Sequence, residues 1–223
     1  MKFFPAATIV SAVGLFVAHW LAFAFVPMER TMGAVQRIFY FHVPSAWLCY
    51  LGFLLCFVGS IGYLWTRRAR WDLFALASAE VGLVFGFIVL ITGPLWARPA
   101  WGVWWRWEPR LVAMALMVLI FCAYWVLRSY GGAGEGVKRF AAILAVFGAP
   151  NIVFVHLAVR RWRGTHPDQV VNRSNTDMRI ALYSVLAILL VVFVLLVVQR
   201  YRVHRNAFRV HALRRRLSRL GAL

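Results

Sequence analysis

Two histidines and a run of tryptophans carry most of the chemistry available to this chain. In Phe41-His42-Val43-Pro44 an imidazole stands just ahead of a proline that suits the first turn of a helix. A neutral imidazole there offers a nitrogen lone pair to a metal, while the plainer reading is an interfacial histidine bonded to a backbone group. Further on, Trp101-Gly102-Val103-Trp104-Trp105-Arg106-Trp107-Glu108-Pro109-Arg110 sets four tryptophans beside two arginines and a glutamate. On a helix Trp101, Trp104, Trp105 and Glu108 share one face, and Pro109 ends the element at Glu108. Such an amphipathic, aromatic platform with cationic edges suits a planar apolar ligand bearing carboxylates; the plainer reading is a belt of aromatics at headgroup level. A second imidazole, His166, follows Arg160, Arg161, Trp162 and Arg163. Two histidines flanking tryptophans, with arginines for carboxylates, is what a bis-histidine heme site requires.

The elements that must position these residues are apolar. The chain has 223 residues, 63% hydrophobic and only 14% charged, against about 45–50% and about 25% in soluble domains. Six runs, at about 3–26, 43–66, 73–96, 111–127, 140–159 and 180–199, match the ~17–25 residues needed to cross a bilayer. They are continuously apolar rather than alternating, so the expected fold is an all-α integral membrane protein of six transmembrane helices, with a short amphipathic Trp-rich periplasmic segment between helices 3 and 4. The first run is too long for the core of a signal peptide and is read as a helix. A net charge of +18 would suggest nucleic acid on a soluble protein, but a chain buried in hydrocarbon has no basic groove to present. The charge reads as topology instead. Fifteen of the 25 cations fall with the termini and loops two and four, and ten fall on loops one, three and five, so both termini are expected in the cytoplasm. The histidines and tryptophans then gather outside. Residues 1–223 read as a single six-span domain, with 97–110 as the platform and 200–223 as a basic tail lying on the anionic inner leaflet.

The sequence resembles a known family at these residues. Phe41-His42-Val43-Pro44-Ser45-Ala46-Trp47 is similar to an HVPAAW-type motif, and residues 101–111 to the WGTWWVWDxRL signature, of the heme exporter protein C (CcmC) family of cytochrome c maturation. The stretch from Asn151 to His166 resembles the family's run from NxP to WWNTLH; the likeness covers roughly residues 36 to 166. It implies a bacterial inner-membrane protein that binds heme b non-covalently, in transit, against a periplasmic WWD domain, with His42 and His166 as axial ligands to the iron. It also implies that Trp101, Trp104, Trp105 and Trp107 form the platform, that Glu108 stands for the family's aspartate, and that Arg110 takes a propionate or the partner. The implied partners are the periplasmic heme chaperone CcmE, the ABC transporter subunits CcmA and CcmB, the small subunit CcmD and membrane lipid. The chain is then a heme-transport subunit rather than an enzyme, assisting covalent attachment of heme to the chaperone. Since Arg160-Arg161-Trp162-Arg163 departs from the family pattern, His156 is the fallback second ligand.

The remaining polar groups read more simply. His19 is taken as a satisfied interfacial histidine, and Glu80 is expected to snorkel toward Arg67, Arg68 or Arg70. Cys49, Cys56 and Cys122 sit within spans without a C-x-x-C-H motif and read as small buried hydrophobes. The glycine-rich stretch 131–136 lacks the lysine of a phosphate loop. Two readings compete with heme delivery: a membrane b-type cytochrome serving quinone, and a permease or structural subunit whose tryptophans only anchor the bundle.

Overall fold

Lipid offers the backbone no hydrogen-bond partner, so spanning segments must close their bonds internally. The computed structural model, which describes residues 3–132, 134–161 and 175–220, meets this with helices and contains no strand among the described residues. The order is α1 (Phe3–Trp20), a π turn (Leu21–Phe25), a 3-10 turn (Ala34–Ile38), α2 (Phe39–Thr66), α3 (Ala69–Trp101), α4 (Pro109–Tyr130), α5 (Glu135–Gly148), α6 (Asn151–Arg161) and α7 (Thr176–Arg219). Six helical segments are long and apolar enough to cross a membrane, the fifth formed by α5 continuing into α6. Pro150 stands at the break between those two helices, where it cannot supply an N–H.

The bundle is organised around α3, the most enclosed of the six segments, and its antiparallel partner α2. The two approach until their backbones nearly touch. A Cβ on Gly52 would lie 2.6 Å from the Gly82 Cα, and one on Gly59 would lie 3.0 Å from Ala75. Small residues permit this approach, which is how helices associate where lipid removes any hydrophobic drive between them. The contacts also fix the register. From Gly59 to Gly52 is seven residues back along α2, and from Ala75 to Gly82 is seven forward along α3; ten more along each reaches His42 and Thr92. Phe53, the residue after Gly52 in α2, lies against Gly82 as well and stacks flat on Phe121 of α4 at 3.8 Å.

Charges inside the bundle are paired. Asp72 of α3 and Arg128 of α4 meet at 2.7 Å with both side chains almost fully enclosed. Glu80 accepts from Arg200 Nε at 2.7 Å and Nη2 at 2.9 Å, bonds His204 Nε2 at 2.8 Å, and takes the Trp125 indole N–H at 3.3 Å. The expected snorkelling toward Arg67, Arg68 or Arg70 is therefore wrong. Its partners stand on α7, about 120 residues away, because that helix passes α3 where the carboxylate is buried, and a bidentate arginine satisfies it there.

The tail is helical to Arg219. Residues 200–219 continue the last spanning helix without interruption, since Thr176–Arg219 contains neither glycine nor proline to break it. Cys49 and Cys56 are buried and Cys122 is half-buried, all as free thiols. Asp72→Ala is expected to cost about 3–5 kcal/mol by stranding Arg128. Arg67→Ala, which breaks the exposed 3.5 Å pair with Glu135, should cost about 0–1 kcal/mol. Thermal unfolding of the purified variants in detergent checks the ranking.

Candidate functional site

The tryptophan segment forms where a helix stops and another starts. α3 ends at Trp101 because Gly102 adopts φ 77°, a left-handed conformation that glycine takes without penalty, and its N–H bonds the Arg98 carbonyl. The Arg98 guanidinium donates back to the Gly102 carbonyl. Glu108 is extended, as its place before proline requires, and Pro109 opens α4 at the first helical position. Between these points the chain runs through bends and irregular backbone. The helix expected to put Trp101, Trp104, Trp105 and Glu108 on one face is therefore absent: Gly102 reverses the backbone directly after the first of them.

The aromatic surface is correspondingly not flat. Trp101 meets Trp96 edge to face, with ring centres 5.0 Å apart, and Trp105 meets Trp107 in the same way at 6.1 Å. The Arg106 guanidinium lies 5.8 Å over Trp101. Trp104 and Trp107 are exposed, whereas Trp105 is half-buried and its indole N–H is enclosed with no acceptor among the described residues. A buried donor without a partner is rare and invites an acceptor from beyond the described residues. Beside this rim, a cleft of about 360 Å³ opens between Thr31, Met32 and Val35 on one wall and Trp96, Pro99, Ala100 and Trp101 on the other. Its first wall is shaped by a turn in which Glu29 accepts the backbone N–H groups of Met32 and Thr31; the first of these holds the carboxyl below its usual range.

His42 lies below the rim. The 3-10 turn precedes α2, so the helix starts at Phe39 and both His42 and Pro44 fall inside it rather than at its mouth. The half-buried imidazole reaches across to α3, where Nδ1 bonds Thr92 Oγ1 at 2.8 Å and Cε1 lies against Gly93. Thr92 is nine residues before Trp101, about 14 Å along α3. The Arg110 guanidinium, in the first turn of α4, is near enough to act electrostatically on both His42 and Tyr50. Arg110 and Glu108 are both half-buried at this junction.

The other histidines stand apart. His156 on α6 is exposed, bonds its own helix at the Ile152 carbonyl, and packs its ring 5.2 Å from Tyr50. His19 bonds the Leu15 carbonyl and packs on Phe41 at 5.0 Å, so its hydrogen bonding is satisfied as expected. His166, with Trp162 and Arg163, lies outside the described residues. Among the described residues no three His, Cys, Asp or Glu side chains converge as a polydentate metal centre would need. Thr92 is the contributor that sequence reasoning missed. A threonine within an apolar span, one helical stretch before the tryptophans, was the available signal, but its partner is fifty residues away.

Exposure separates the tryptophans into two kinds. Trp104→Ala and Trp107→Ala should change stability by no more than about 0.5 kcal/mol, as for surface positions generally. Trp105→Ala, which removes half-buried packing, should lower the unfolding temperature measurably in the same detergent assay.

Comparison with known proteins gives one consistent likeness. The family described as CcmC, heme exporter protein C, matches residues 1–222. The heme exporter protein C of Bradyrhizobium diazoefficiens is 31% identical over 216 residues, 96% of this chain and 79% of the relative. That of Escherichia coli K12 is 31% identical over 176 residues, covering 78% of this chain and 71% of the relative. A mitochondrial protein of Marchantia polymorpha, named as ccmC-like and for cytochrome c biosynthesis, is 25% identical over 173 residues, 78% of this chain and 72% of its own length.

Proposed function

The chain belongs to the heme exporter protein C family, and from that membership we propose that it binds heme at the outer face of the bacterial inner membrane and delivers it to a periplasmic heme chaperone for c-type cytochrome biogenesis. The observation that carries this reading is a histidine, His42, held against α3 beneath a rim of tryptophans with the Arg110 charge alongside. The donor set fits heme. An imidazole supplies an axial ligand, an arginine suits a propionate, and exposed indoles cover a planar ring. The Trp105 N–H, which has no acceptor among the described residues, adds a donor for a carboxylate or for the docking chaperone.

His42 and His166 take the iron. His156 is the weaker candidate because its ring packs at Tyr50, eight residues and about 12 Å further along α2 than His42, whereas one iron needs both nitrogens within bonding distance. Trp101, Trp104, Trp105 and Trp107 form the rim on which the chaperone CcmE docks, with Glu108 and Arg110 at its base. Exposure of Trp104 and Trp107 suits that task, since heme leaves only through an open edge. The greater load of cations at the opposite end supports a cytoplasmic position for both termini. The chain contributes binding and orientation, with heme b as cargo; CcmA and CcmB supply ATP hydrolysis and CcmD completes the assembly.

Heme spectra of the purified protein test this. Wild type should show a Soret band with the low-spin signature of two imidazoles. His42→Ala and His166→Ala should each lose that signature, and His156→Ala should keep it. Loss of heme from His156→Ala with retention in His166→Ala reverses the ligand assignment, and a wild type that takes up no heme removes the reading altogether.

A further inference from the structure

The protons around His42 can be counted. Thr92 has one hydroxyl hydrogen, and its 2.6 Å bond to the Ile88 carbonyl uses it, because a carbonyl oxygen only accepts. The same hydroxyl oxygen must then accept at 2.8 Å from His42, which makes Nδ1 the protonated nitrogen. Nε2 is left as the nitrogen with the lone pair. The Ile88 carbonyl, the Thr92 hydroxyl and the imidazole thus form one directed chain.

Which helix anchors the imidazole matters as much as its tautomer. His19 and His156 also bond through Nδ1, but each to a carbonyl four residues back on its own helix, so those rings move with the helix that bears them. His42 belongs to α2 and is anchored to α3, the helix that ends in Trp101. Beside it Gly93 lies in ordinary contact, 3.5 Å from an added Cβ to His42 Cε1, so a longer side chain there would press on the ring edge. A metal-bound histidine needs its second nitrogen held in this way, and loss of the holding group typically costs about 10–100-fold in metal affinity.

We propose that Thr92 is a positioning residue for heme capture: it holds His42 as the Nδ1–H tautomer and turns Nε2 toward the iron. This rests on the assignment of His42 as an iron ligand. Thr92 itself touches neither iron nor porphyrin. It acts by removing the alternative tautomer, in which Nε2 carries the proton and cannot ligate, and by restraining ring rotation.

Wild type, Thr92→Val, Thr92→Ser and His42→Ala, each in phosphatidylcholine nanodiscs, are titrated with hemin and followed at the Soret band and by electron paramagnetic resonance. Thr92→Val keeps the shape and removes the acceptor, so affinity should fall about 10–100-fold and the low-spin signal should become heterogeneous. Thr92→Ser, which keeps the hydroxyl, should restore both. In the heme-free protein, solid-state 15N spectra of labelled histidine, assigned to His42 by difference from His42→Ala, should show protonated Nδ1 in wild type and a mixture of tautomers in Thr92→Val. If Thr92→Val matches wild type in affinity and spectrum while His42→Ala loses heme, the positioning role is overturned and the ligand assignment stands. An unchanged His42→Ala overturns both. Should Thr92→Val fail to fold, the wild-type 15N spectrum decides alone, and a protonated Nε2 would sink the proposal.

Discussion

The close approach of α2 and α3 is the constraint on which the rest depends. Two helices in lipid gain nothing from hiding apolar surface from each other, so they pack tightly only where side chains are small enough to let backbones meet. Gly52 on Gly82 and Gly59 on Ala75 provide that meeting and set an antiparallel register. Carried ten residues toward the tryptophan-bearing end, the same register brings an imidazole to a hydroxyl. The geometry of the site is thus inherited from glycines more than two turns away from it. A bulkier residue at Gly52 would act on the site without touching it, by moving α2 off α3.

The interior charges solve a related problem at the other end. Asp72 with Arg128, and Glu80 with Arg200 and His204, tie α3 to α4 and to α7. Each carboxylate is enclosed on α3, and each cation comes from another helix. Such pairs add little net stability compared with apolar packing, but an unpaired carboxylate there would be costly, so they fix which faces of the three helices meet. Glycines and ion pairs together leave α3 little freedom over most of its length.

What could be read in the sequence follows from how locally each feature is encoded. The six apolar segments, the non-helical Glu108 before Pro109 and the burial of Cys49 and Cys56 depend on composition or on one neighbour, and each was legible, whereas Cys122, read in the same way, is only half-buried. Membership of the heme exporter protein C family was legible because its motifs are short and contiguous. The partner of Glu80 was not, since it lies 120 residues away and a nearer group of arginines looked sufficient. The tryptophan spacing fits a helix, but Gly102 overrides it through one backbone angle. His42 reads as a helix-mouth residue until the 3-10 turn is seen to shift the start of α2. Thr92 was hidden for the reason that hid the Glu80 partner: its meaning lies in another helix.

Pro94 and Pro99 both fall inside α3, between Thr92 and Trp101. Each withdraws an N–H, so the carbonyls of Leu90 and Leu95 lose their usual donors and the last turns of α3 are the least firmly bonded part of that helix. The weakened turns run from Leu90 to the aromatic rim, so they include the hydroxyl that anchors His42. Grip and display therefore stand on one weakened stretch of a single helix, held from below by the glycine contacts and ion pairs.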